Sequence, residues 1–423
     1  MVKRKHLIIG CGPAGLSALK QIRKLGSKDE VKLISMEDTT PYSPVSLPYL
    51  LSGSKKESDI FLTEEGFFQK MNATLMKGMR VEKVMPREKQ VLLESGERES
   101  FDTLLIASGS EPVRPRIKGL NGDNFLGFHT LGDYRDLVSR LEKEKEAAIL
   151  GGGYVGMEVA EALYERGHKP TIFEKENGVL PLSFERVVGD YVSQIYSEKG
   201  IDIYAGTEVS EIRSGEDFLE IVCGDGRRFK TDLLVTCVGV KSRIAMLEGS
   251  GIEVNHGILV DKRMRTNAEE IYAAGDVAEA PDFISGRNGL SPISPSAVDQ
   301  GKIAGSNMVG EAAEYHGWLS MNLYNFFGHL AVSMGQFTHS YGNEVFINKD
   351  DGNRSYRKIV CRDNLLVGAN FFNVELDAGV MQYLIRNKID IGPYKESLLE
   401  KPKEVSLWLM LEAEKKNTTS LEG

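Results

Sequence analysis

A chain of 423 residues, 41% of them apolar and 27% charged, is too long for one hydrophobic core, so we expect two or three domains. The formal net charge of -9 argues against a general nucleic-acid surface, because binding phosphates needs clustered Lys and Arg. The sequence shows no signal peptide and no apolar run near the roughly 18 residues that cross a bilayer. A cytoplasmic protein without a membrane span is therefore expected.

The chain opens on a strand, a glycine motif and a helix. Residues 7–9 form an apolar run typical of a buried parallel strand, followed at G-x-G-x-x-G spacing by Gly10, Gly12 and Gly15. In such a motif the glycines allow a tight turn, a close approach of backbone to pyrophosphate, and close packing of the helix. The next strand ends at Glu37, whose carboxylate can bind the ribose hydroxyls of an adenosine. This frame favours a nucleotide site over a glycine-rich turn without a ligand.

The segment that follows Glu37 is rich in proline. Three prolines between residues 41 and 48 exclude a regular helix before Leu47. An irregular segment beyond the carboxyl end of a strand is where α/β folds place ligand contacts, although a plain surface connection is the alternative. Further along, we predict short strands over 72–83 and 90–94, a buried strand over 101–110, a linker over 111–115 and a helix over 133–145.

The opening pattern then repeats. A predicted strand over residues 148–150 leads into Gly151, Gly153 and Gly156, then a helix over 157–166 and a strand over 171–173 that is followed by Glu174. Two dinucleotide sites in one chain are what hydride transfer between two dinucleotide cofactors requires. Glu174 would repel a ribose 2′-phosphate, so NAD is expected rather than NADP, although the neighbouring Lys175 weakens this preference.

The remainder of the chain adds strands and one aspartate. A predicted strand over 266–274 ends in Gly275 and Asp276, and this carboxylate can bind the ribitol hydroxyls of a flavin. An N-cap role for Asp276 is the alternative, weakened because prolines delay the next helix until about Ala297. We also predict antiparallel strands over 209–222 and 229–235, strands over 331–337, 344–347, 357–360 and 365–371, a helix over 377–388 and a frayed tail from Glu412.

Cysteines and histidines provide no metal site. The chain has four cysteines and no Cys-x-x-Cys pair, which excludes a locally encoded zinc ribbon, ferredoxin cluster or thioredoxin-like dithiol. The histidines show no metal-ligand spacing. We therefore predict no bound metal.

With both glycine motifs and the Gly275-Asp276 segment, the chain resembles the FAD- and NAD(P)-dependent pyridine nucleotide-disulfide oxidoreductases, in the branch of coenzyme A-disulfide reductases and NADH oxidases. The resemblance implies an α/β fold of two Rossmann-like dinucleotide-binding domains, for FAD and NAD(H), plus a C-terminal α+β interface domain that commonly makes a homodimer. The implied boundaries are 1–112 with 241–316 for FAD, 113–240 for NAD and 317–423 for the interface domain.

The resemblance also assigns site residues. It implies that Tyr154 covers the flavin where nicotinamide stacks and that Glu158 lies near the nicotinamide, and we take these two as the catalytic residues. FAD contacts are implied for Gly10, Gly12, Pro13, Ala14, Gly15, Glu37, Val81, Ala107, Ser108, Gly109, Gly275, Asp276, Ser296 and Ala297. NAD contacts are implied for Gly151, Gly153, Tyr154, Val155, Gly156, Glu174 and Gly239.

One departure from the family bears on the reaction. Coenzyme A-disulfide reductases have a cysteine a few residues before the Leu-Pro-Tyr of residues 47–49, but here Val45 and Ser46 occupy that place and no cysteine lies between residues 12 and 222. Disulfide reduction by that route needs a thiolate as nucleophile and charge-transfer donor. Neither side chain supplies one, so we do not expect a disulfide reductase.

The chemistry left is hydride transfer between NAD(H) and FAD, followed by exchange with an acceptor or donor outside the chain. Our leading hypothesis is an electron-transfer flavoprotein component that works with an iron-sulfur protein or subunit. It resembles the flavoprotein subunits of 2-oxoacid dehydrogenase complexes such as phenylglyoxylate dehydrogenase. An NADH oxidase or small-molecule or quinone reductase is the second hypothesis. A flavin redox sensor or binding protein is the third.

Overall fold

The computed structural model describes residues 3–122, 124–141, 146–337 and 342–421. Within these residues the α-helices, labelled α1 to α10 in chain order, are Pro13–Lys24, Leu47–Leu51, Phe67–Lys70, Leu131–Arg140, Tyr154–Glu165, Arg186–Glu198, Ser294–Met308, Ala378–Arg386, Lys395–Glu400 and Pro402–Leu421. Short 3-10 turns cover Pro44–Ser46, Glu57–Ile60, Ala245–Leu247 and Gly392–Tyr394. None of the described helices is long and apolar enough to cross a membrane.

The strands, labelled β1 to β26 in chain order, are mostly short. They are Lys5–Ile9, Glu30–Ile34, Ala73–Met76, Val81–Met85, Gln90–Leu93, Arg98–Ser100, Thr103–Ile106, Ser110–Pro112, Leu126–Gly127, Glu146–Leu150, Lys169–Phe173, Asp202–Tyr204, Val209–Ser214, Leu219–Cys223, Arg228–Thr231, Leu233–Thr236, Val240–Ser242, Ile258–Leu259, Ile271–Ala273, Ala278–Pro281, Asn288–Gly289, Met321–Phe326, His329–Gly335, Glu344–Asp350, Ser355–Arg362 and Leu365–Phe372.

The chain divides into two compact units, and neither is one continuous stretch of sequence. The first comprises Met1–Pro115, Gly127–Leu141 and Val238–Trp318; the second comprises Arg116–Leu126, Glu142–Cys237 and Leu319–Gly423. The predicted boundaries between FAD, NAD and interface domains stay predictions.

The first unit is built on a parallel sheet of order β19–β7–β1–β2–β3. The apolar strands β1 and β7 are central and almost completely buried, as expected for a sheet covered on both faces. α1 and α7 pack closely because α7 presents glycines. A Cβ added at Gly301 would lie 2.2 Å from the carbonyl oxygen of Ala14, and one added at Gly305 would lie 2.6 Å from that of Ala18.

The second unit repeats this architecture and adds an antiparallel sheet. Its first sheet has the order β12–β11–β10–β16–β9, in which β10 is parallel to both β11 and β16. The second sheet, of order β22–β23–β26–β25–β24, is antiparallel throughout. The described strands and helices therefore include two βαβ units with glycine turns, β1–α1–β2 and β10–α5–β11.

Several local predictions are corrected by the structure. The predicted linker over 111–115 begins in β8, which pairs antiparallel with β17; Pro112 ends that strand, so its missing N–H interrupts no ladder. The strand expected over 266–274 is confined to β19, because Thr266 begins a turn in which its N–H donates to the carbonyl of Ile271. β16 was expected to be antiparallel to its neighbours but is parallel to β10. The tail expected to fray from Glu412 continues helix α10.

Helix ends also differ from the predictions. The helix expected over 133–145 is α4, which starts at Leu131 because Thr130 caps it in a reciprocal capping box with Asp133. Residues 142–145 of that prediction lie outside the described residues. α7 starts at Ser294 rather than near Ala297, because a proline is tolerated in the first turn of a helix.

Candidate functional site

The first glycine loop has the shape that the motif requires. Gly10 follows β1 with φ of 101°, and a Cβ there would lie 2.1 Å from the carbonyl oxygen of Ala107. A Cβ at Gly15 would lie 2.1 Å from the carbonyl oxygen of Gly10. At Gly12, by contrast, a Cβ would meet no atom within 4 Å. Two glycines are thus required by the fold, while Gly12 borders open space.

That open space lies at the N-terminus of α1. Gly12 is the N-cap, no side chain caps the helix, and Pro13 occupies the first turn. The amide groups of Ala14 and Gly15 therefore have no partner in the capping residue and lie at the positive end of the helix dipole. This arrangement fits a dinucleotide diphosphate, which needs bare backbone and free N–H groups.

The acidic residue after β2 is held by a tyrosine. The hydroxyl of Tyr42 donates to Oε2 of Glu37 at 2.8 Å and accepts from the amide N–H of Leu131, at the start of α4, also at 2.8 Å. Burial, followed by the negative charge of Glu37, raises the pKa of Tyr42, so the phenol stays protonated and continues to donate. The sequence marks the segment that contains Tyr42 as rich in proline but gives no sign of this role.

The Gly275-Asp276 turn has a similar support. Asp276 accepts a hydrogen bond of 2.8 Å from the hydroxyl of Ser110, and its carbonyl accepts one of 3.0 Å from Ser242. Gly275, with φ of 83°, donates its N–H to Oε1 of Gln300 at 2.8 Å. In the part of the chain that the structure describes, Oδ1 of Asp276 accepts no hydrogen bond, as the predicted contact with ribitol hydroxyls requires.

Gln300 presents a buried donor without a partner. Its side chain is completely buried in α7, and Oε1 is fixed as the acceptor by the N–H of Gly275, so Nε2 is the free end. Nε2 makes no hydrogen bond within the described residues. A buried N–H without an acceptor is costly, so this part of the first unit fits a ligand that brings acceptors. Gln300 lies one turn beyond the predicted pair Ser296 and Ala297, and no sequence motif marks it.

The other predicted FAD contacts are distributed around these groups. Ala107 donates its N–H to the carbonyl of Ile9 at 2.8 Å, and Ser108 donates its hydroxyl to the carbonyl of Arg243 at 2.9 Å. Ser296 is buried and hydrogen-bonded to Ser291. The remaining predicted contacts in this unit are Gly109, which has φ of 68°, Ala297, which is buried in α7, and Val81, which is buried in β4.

The second glycine loop repeats the main features of the first. Gly151 has φ of 109°, a Cβ at Gly156 would lie 1.9 Å from the carbonyl oxygen of Gly151, and a Cβ at Gly153 would meet nothing within 4 Å. Gly153 is the N-cap of α5 and has no side-chain cap. The second loop therefore also fits a diphosphate. Val155 is exposed in the first turn of α5, whereas Gly239 lies in the first unit.

Glu174 is held differently from Glu37. Its Oε2 accepts from the N–H of Gly152 at 2.6 Å and its Oε1 from the N–H of Glu176 at 2.7 Å. The side chain of Lys175 is paired with Glu208 at 2.7 Å. The lysine that weakened the preference for NAD is thus already neutralised, whereas the carboxylate of Glu174 stands beside the glycine loop.

Two predicted catalytic residues follow Gly153 on α5. The ring of Tyr154 packs edge-on against Phe184 at a centroid distance of 6.4 Å, and its buried hydroxyl makes no hydrogen bond of standard geometry within the described residues. Burial, followed by the charge of Glu161, raises the pKa of Glu158 to about 8. Glu161 is itself fixed, because it accepts hydrogen bonds of 3.0 Å from the hydroxyl of Tyr324 and the N–H of Phe327.

None of the cysteines is arranged as a reactive thiolate. All four are free of disulfides. Burial raises the pKa of each thiol, to about 12 for Cys237 and about 11 for Cys361, and upward for Cys11 and Cys223. Since the thiolate is the nucleophile in disulfide exchange, thiols that stay protonated at neutral pH do not support that chemistry. Among the described residues, no group of three or more His, Cys, Asp and Glu side chains is placed to hold a metal ion.

The two loops together fit two dinucleotides. FAD accepts a hydride and can release electrons singly, and NAD(H) carries the hydride. The geometry of the chain is compatible with diphosphates on the two bare helix N-termini, and Glu37 and Glu174 stay the predicted ribose ligands.

Comparisons with known proteins agree with a chain that binds two dinucleotides. The family model described as pyridine nucleotide-disulphide oxidoreductase matches residues 4–301. The chain is 32% identical over 409 residues to the NADH-dependent phenylglyoxylate dehydrogenase subunit epsilon of Aromatoleum evansii, covering 96% of this chain and 97% of that protein. It is 29% identical over 346 residues to the NADH-rubredoxin oxidoreductase of Clostridium acetobutylicum, covering 82% and 85% of the two chains.

A solved structure supports the fold. The water-forming NADH oxidase from Lactobacillus brevis, bound to NADH, superposes with a TM-score of 0.87 over 99% of this chain and 100% of that one, at 24% identity. The predicted α/β class with two Rossmann-like domains and a C-terminal domain is confirmed, as are the FAD and NAD(H) cofactors and the assignment as an NAD(P)H-dependent flavoprotein oxidoreductase. On these grounds the chain belongs to the pyridine nucleotide-disulphide oxidoreductase family.

Proposed function

We propose that this flavoprotein passes electrons between NAD(H) and an iron-sulfur protein or subunit. The observation that carries the proposal is the combination of two complete nucleotide loops with four protonated thiols, none of them between residues 12 and 222. The flavin can then exchange electrons with NAD(H) but has no thiol pair in the chain to pass them to. An acceptor or donor outside the chain completes the reaction.

The relatives support the kind of partner. The protein from Aromatoleum evansii is named as a subunit of an NADH-dependent dehydrogenase, and it matches this chain over nearly its full length. The protein from Clostridium acetobutylicum is named for rubredoxin, a small iron protein, as its redox partner. Both names describe NADH-linked proteins that work with another protein or subunit, which is the arrangement proposed here.

The residues proposed for the reaction act by position. The backbone at Gly12 and Gly153 leaves room for the diphosphates, and Glu37 and Glu174 bind ribose hydroxyls. We assign Tyr154 as the group that yields its place to the nicotinamide, since its buried hydroxyl makes no hydrogen bond of standard geometry within the described residues. Glu158 is held protonated near neutral pH, so it presents a neutral carboxyl group rather than a charge beside the nicotinamide.

The surface at the lost cysteine is consistent with an outside partner. Val45 stands where the family's cysteine is found, and its side chain is 61% exposed. Tyr49, four residues along the same segment, is also exposed, whereas Leu47 and Leu50 are buried in the core. We propose that the irregular segment over residues 41–49 leaves this side of the first unit accessible to a partner protein.

The proposal is tested by the fate of the reduced flavin. The holoprotein is reduced anaerobically with one equivalent of NADH and mixed, in parallel, with oxidised rubredoxin, with a low-potential ferredoxin and with air-saturated buffer. We expect fast reoxidation by at least one of the iron proteins and slow reoxidation by air. Fast reaction with oxygen alone would identify an oxidase and contradict the proposal. Slow reaction with all three would favour a redox sensor.

We further propose a homodimer formed through the C-terminal part of the second unit, in a cytoplasmic setting. The outer strands β22 and β24 of the antiparallel sheet carry exposed Leu323 and Ile347, which a second copy would bury. Four free cysteines without a disulfide agree with a reducing compartment. Light scattering should give twice the 46.8 kDa of the chain, and a mass of one chain would contradict the dimer.

A further inference from the structure

Arg243, which follows β17, is anchored at the edge of the first sheet. Its N–H donates to the carbonyl of Gly109 at 3.0 Å, and its carbonyl accepts from the hydroxyl of Ser108 at 2.9 Å. Its side-chain Nε donates to the carbonyl of Ser110 at 2.7 Å. Three contacts to the segment after β7 fix both the backbone and the start of the guanidinium group.

The other end of the guanidinium reaches the segment after β2. Its Nη1 contacts the thioether sulfur of Met36, the residue before Glu37. In the sheet, β1 lies between β7 and β2, and all three strands are parallel. A side chain that joins the segments after β7 and β2 therefore extends across the carboxyl end of β1. That end is Gly10, where the glycine loop begins.

The guanidinium lacks an anionic partner. Within the described residues no carboxylate lies within 4.0 Å of it, and the thioether at Nη1 is a weak, uncharged acceptor. The neighbouring carboxylates are occupied by hydroxyl groups, Glu37 by Tyr42 and Asp276 by Ser110. A half-buried cation fixed on one side and unpaired on the other is an arrangement suited to an anionic ligand.

We propose that Arg243 binds the diphosphate of FAD from the side opposite the amide groups of α1. The helix N-terminus supplies neutral donors, and Arg243 would add a full positive charge to them. The guanidinium would exchange its sulfur contact for phosphate oxygens. The inference rests on the assignment of FAD to the first glycine loop.

The test measures binding to the apoprotein by calorimetry, not turnover. Replacing Arg243→Met removes the charge and keeps an unbranched side chain, and we expect FAD to bind about 10- to 100-fold more weakly, the range for a lost charge-assisted hydrogen bond. Arg243→Lys should give an intermediate loss. The matched control is Lys241→Met on the same strand, where the lysine is exposed and paired with Glu111. We expect this control to bind FAD as the wild type does.

Binding of ADP and of adenosine shows which part of FAD Arg243 contacts. ADP carries the diphosphate and adenosine does not, so Arg243→Met should weaken ADP binding and leave adenosine binding unchanged. Equal losses for both probes would place the side chain on the adenosine and overturn the proposal. Unchanged FAD binding in Arg243→Met would also overturn it. If Glu37→Ala still weakened FAD binding in that case, the assignment of FAD to the first glycine loop would survive without the role of Arg243. If Glu37→Ala had no effect either, the assignment of FAD to this loop would also fail.

Discussion

The two glycine loops have the same backbone but different supports for their acidic residues. Gly10 and Gly151 both have φ near 100°, and the third glycine of each motif lies against the carbonyl of the first. The carboxylate of Glu37 is linked through Tyr42 to the start of α4, whereas both oxygens of Glu174 accept amides of neighbouring loop residues. The carboxylate of the first loop is therefore connected to a distant helix of its unit, whereas the carboxylate of the second loop is held by amides of nearby loop residues. We expect a resident cofactor in the first and an exchangeable one in the second.

The largest expected effect tests whether the two loops are equally required by the fold. Gly15→Ala and Gly156→Ala each force a Cβ into a backbone carbonyl, at 2.1 Å and 1.9 Å, and each should lower the free energy of unfolding of the apoprotein by about 3 kcal/mol, as for overpacked cores. Denaturant unfolding measures this loss. Gly12→Ala and Gly153→Ala are the controls, because their Cβ atoms meet nothing within 4 Å. Equal stability of all four variants would contradict the loop geometry.

The two control variants, Gly12→Ala and Gly153→Ala, also distinguish the FAD site from the NADH site. Gly12→Ala places a methyl group where the FAD diphosphate is proposed to lie, so FAD affinity should fall by tenfold or more, about 1.4 kcal/mol, while NADH affinity is kept. Gly153→Ala should do the reverse. Binding of each ligand to each variant is measured by calorimetry. Loss of NADH binding in Gly12→Ala with FAD unaffected would exchange the two assignments.

The acidic residues give a smaller and more selective effect. Glu174→Ala removes a ribose acceptor and leaves two loop amides without their acceptor. The KM for NADH should therefore rise about tenfold, which corresponds to the loss of one charge-assisted hydrogen bond, with little change in kcat. Initial rates with a dye acceptor give both constants. An unchanged KM would overturn the NAD site. Lys175→Ala is the matched control, since that lysine is paired with Glu208 and should alter neither constant.

The last effect depends on pH and arises at Glu158. Its pKa of about 8 in the folded chain exceeds the ordinary 4.5, so the folded state holds a proton that the unfolded state loses, and stability falls as pH rises between these values. Glu158→Gln has no carboxyl group at this position, so it does not lose stability in this way as the pH rises. Its stability advantage over the wild type should be absent near pH 4, grow up to pH 8 and then level off. Thermal unfolding across pH checks this, with exposed Glu165→Gln as control; a constant difference would contradict the burial of Glu158.

The sequence predicted the parts of the site that depend on local backbone. Glycine spacing, strand endings and the acidic residues after β2 and β11 follow from short-range sterics, and they lie where the motifs indicated. The resemblance added the expected roles of Tyr154 and Glu158 and the expected contacts of Ser296 and Ala297. The duplication was visible because each loop needs glycine at the same three points, for reasons that act within a dozen residues.

The supports of the site could not be predicted in this way. Tyr42, Gln300 and Arg243 act through partners 89, 25 and 133 residues away, so no local pattern marks them. The pairing of β8 with β17 likewise depends on tertiary contact, which overrides the proline at the end of β8. The raised pKa values of the cysteines arise from burial, which is set by tertiary packing and not by a local pattern.

A crystal structure of the chain with FAD and NAD⁺ bound tests the central claim most directly. The account predicts the FAD diphosphate against Gly12 with its adenosine ribose on Glu37, and the NAD⁺ diphosphate against Gly153 with its ribose on Glu174. FAD in the second loop, or both nucleotides bound away from the glycine loops, would contradict it.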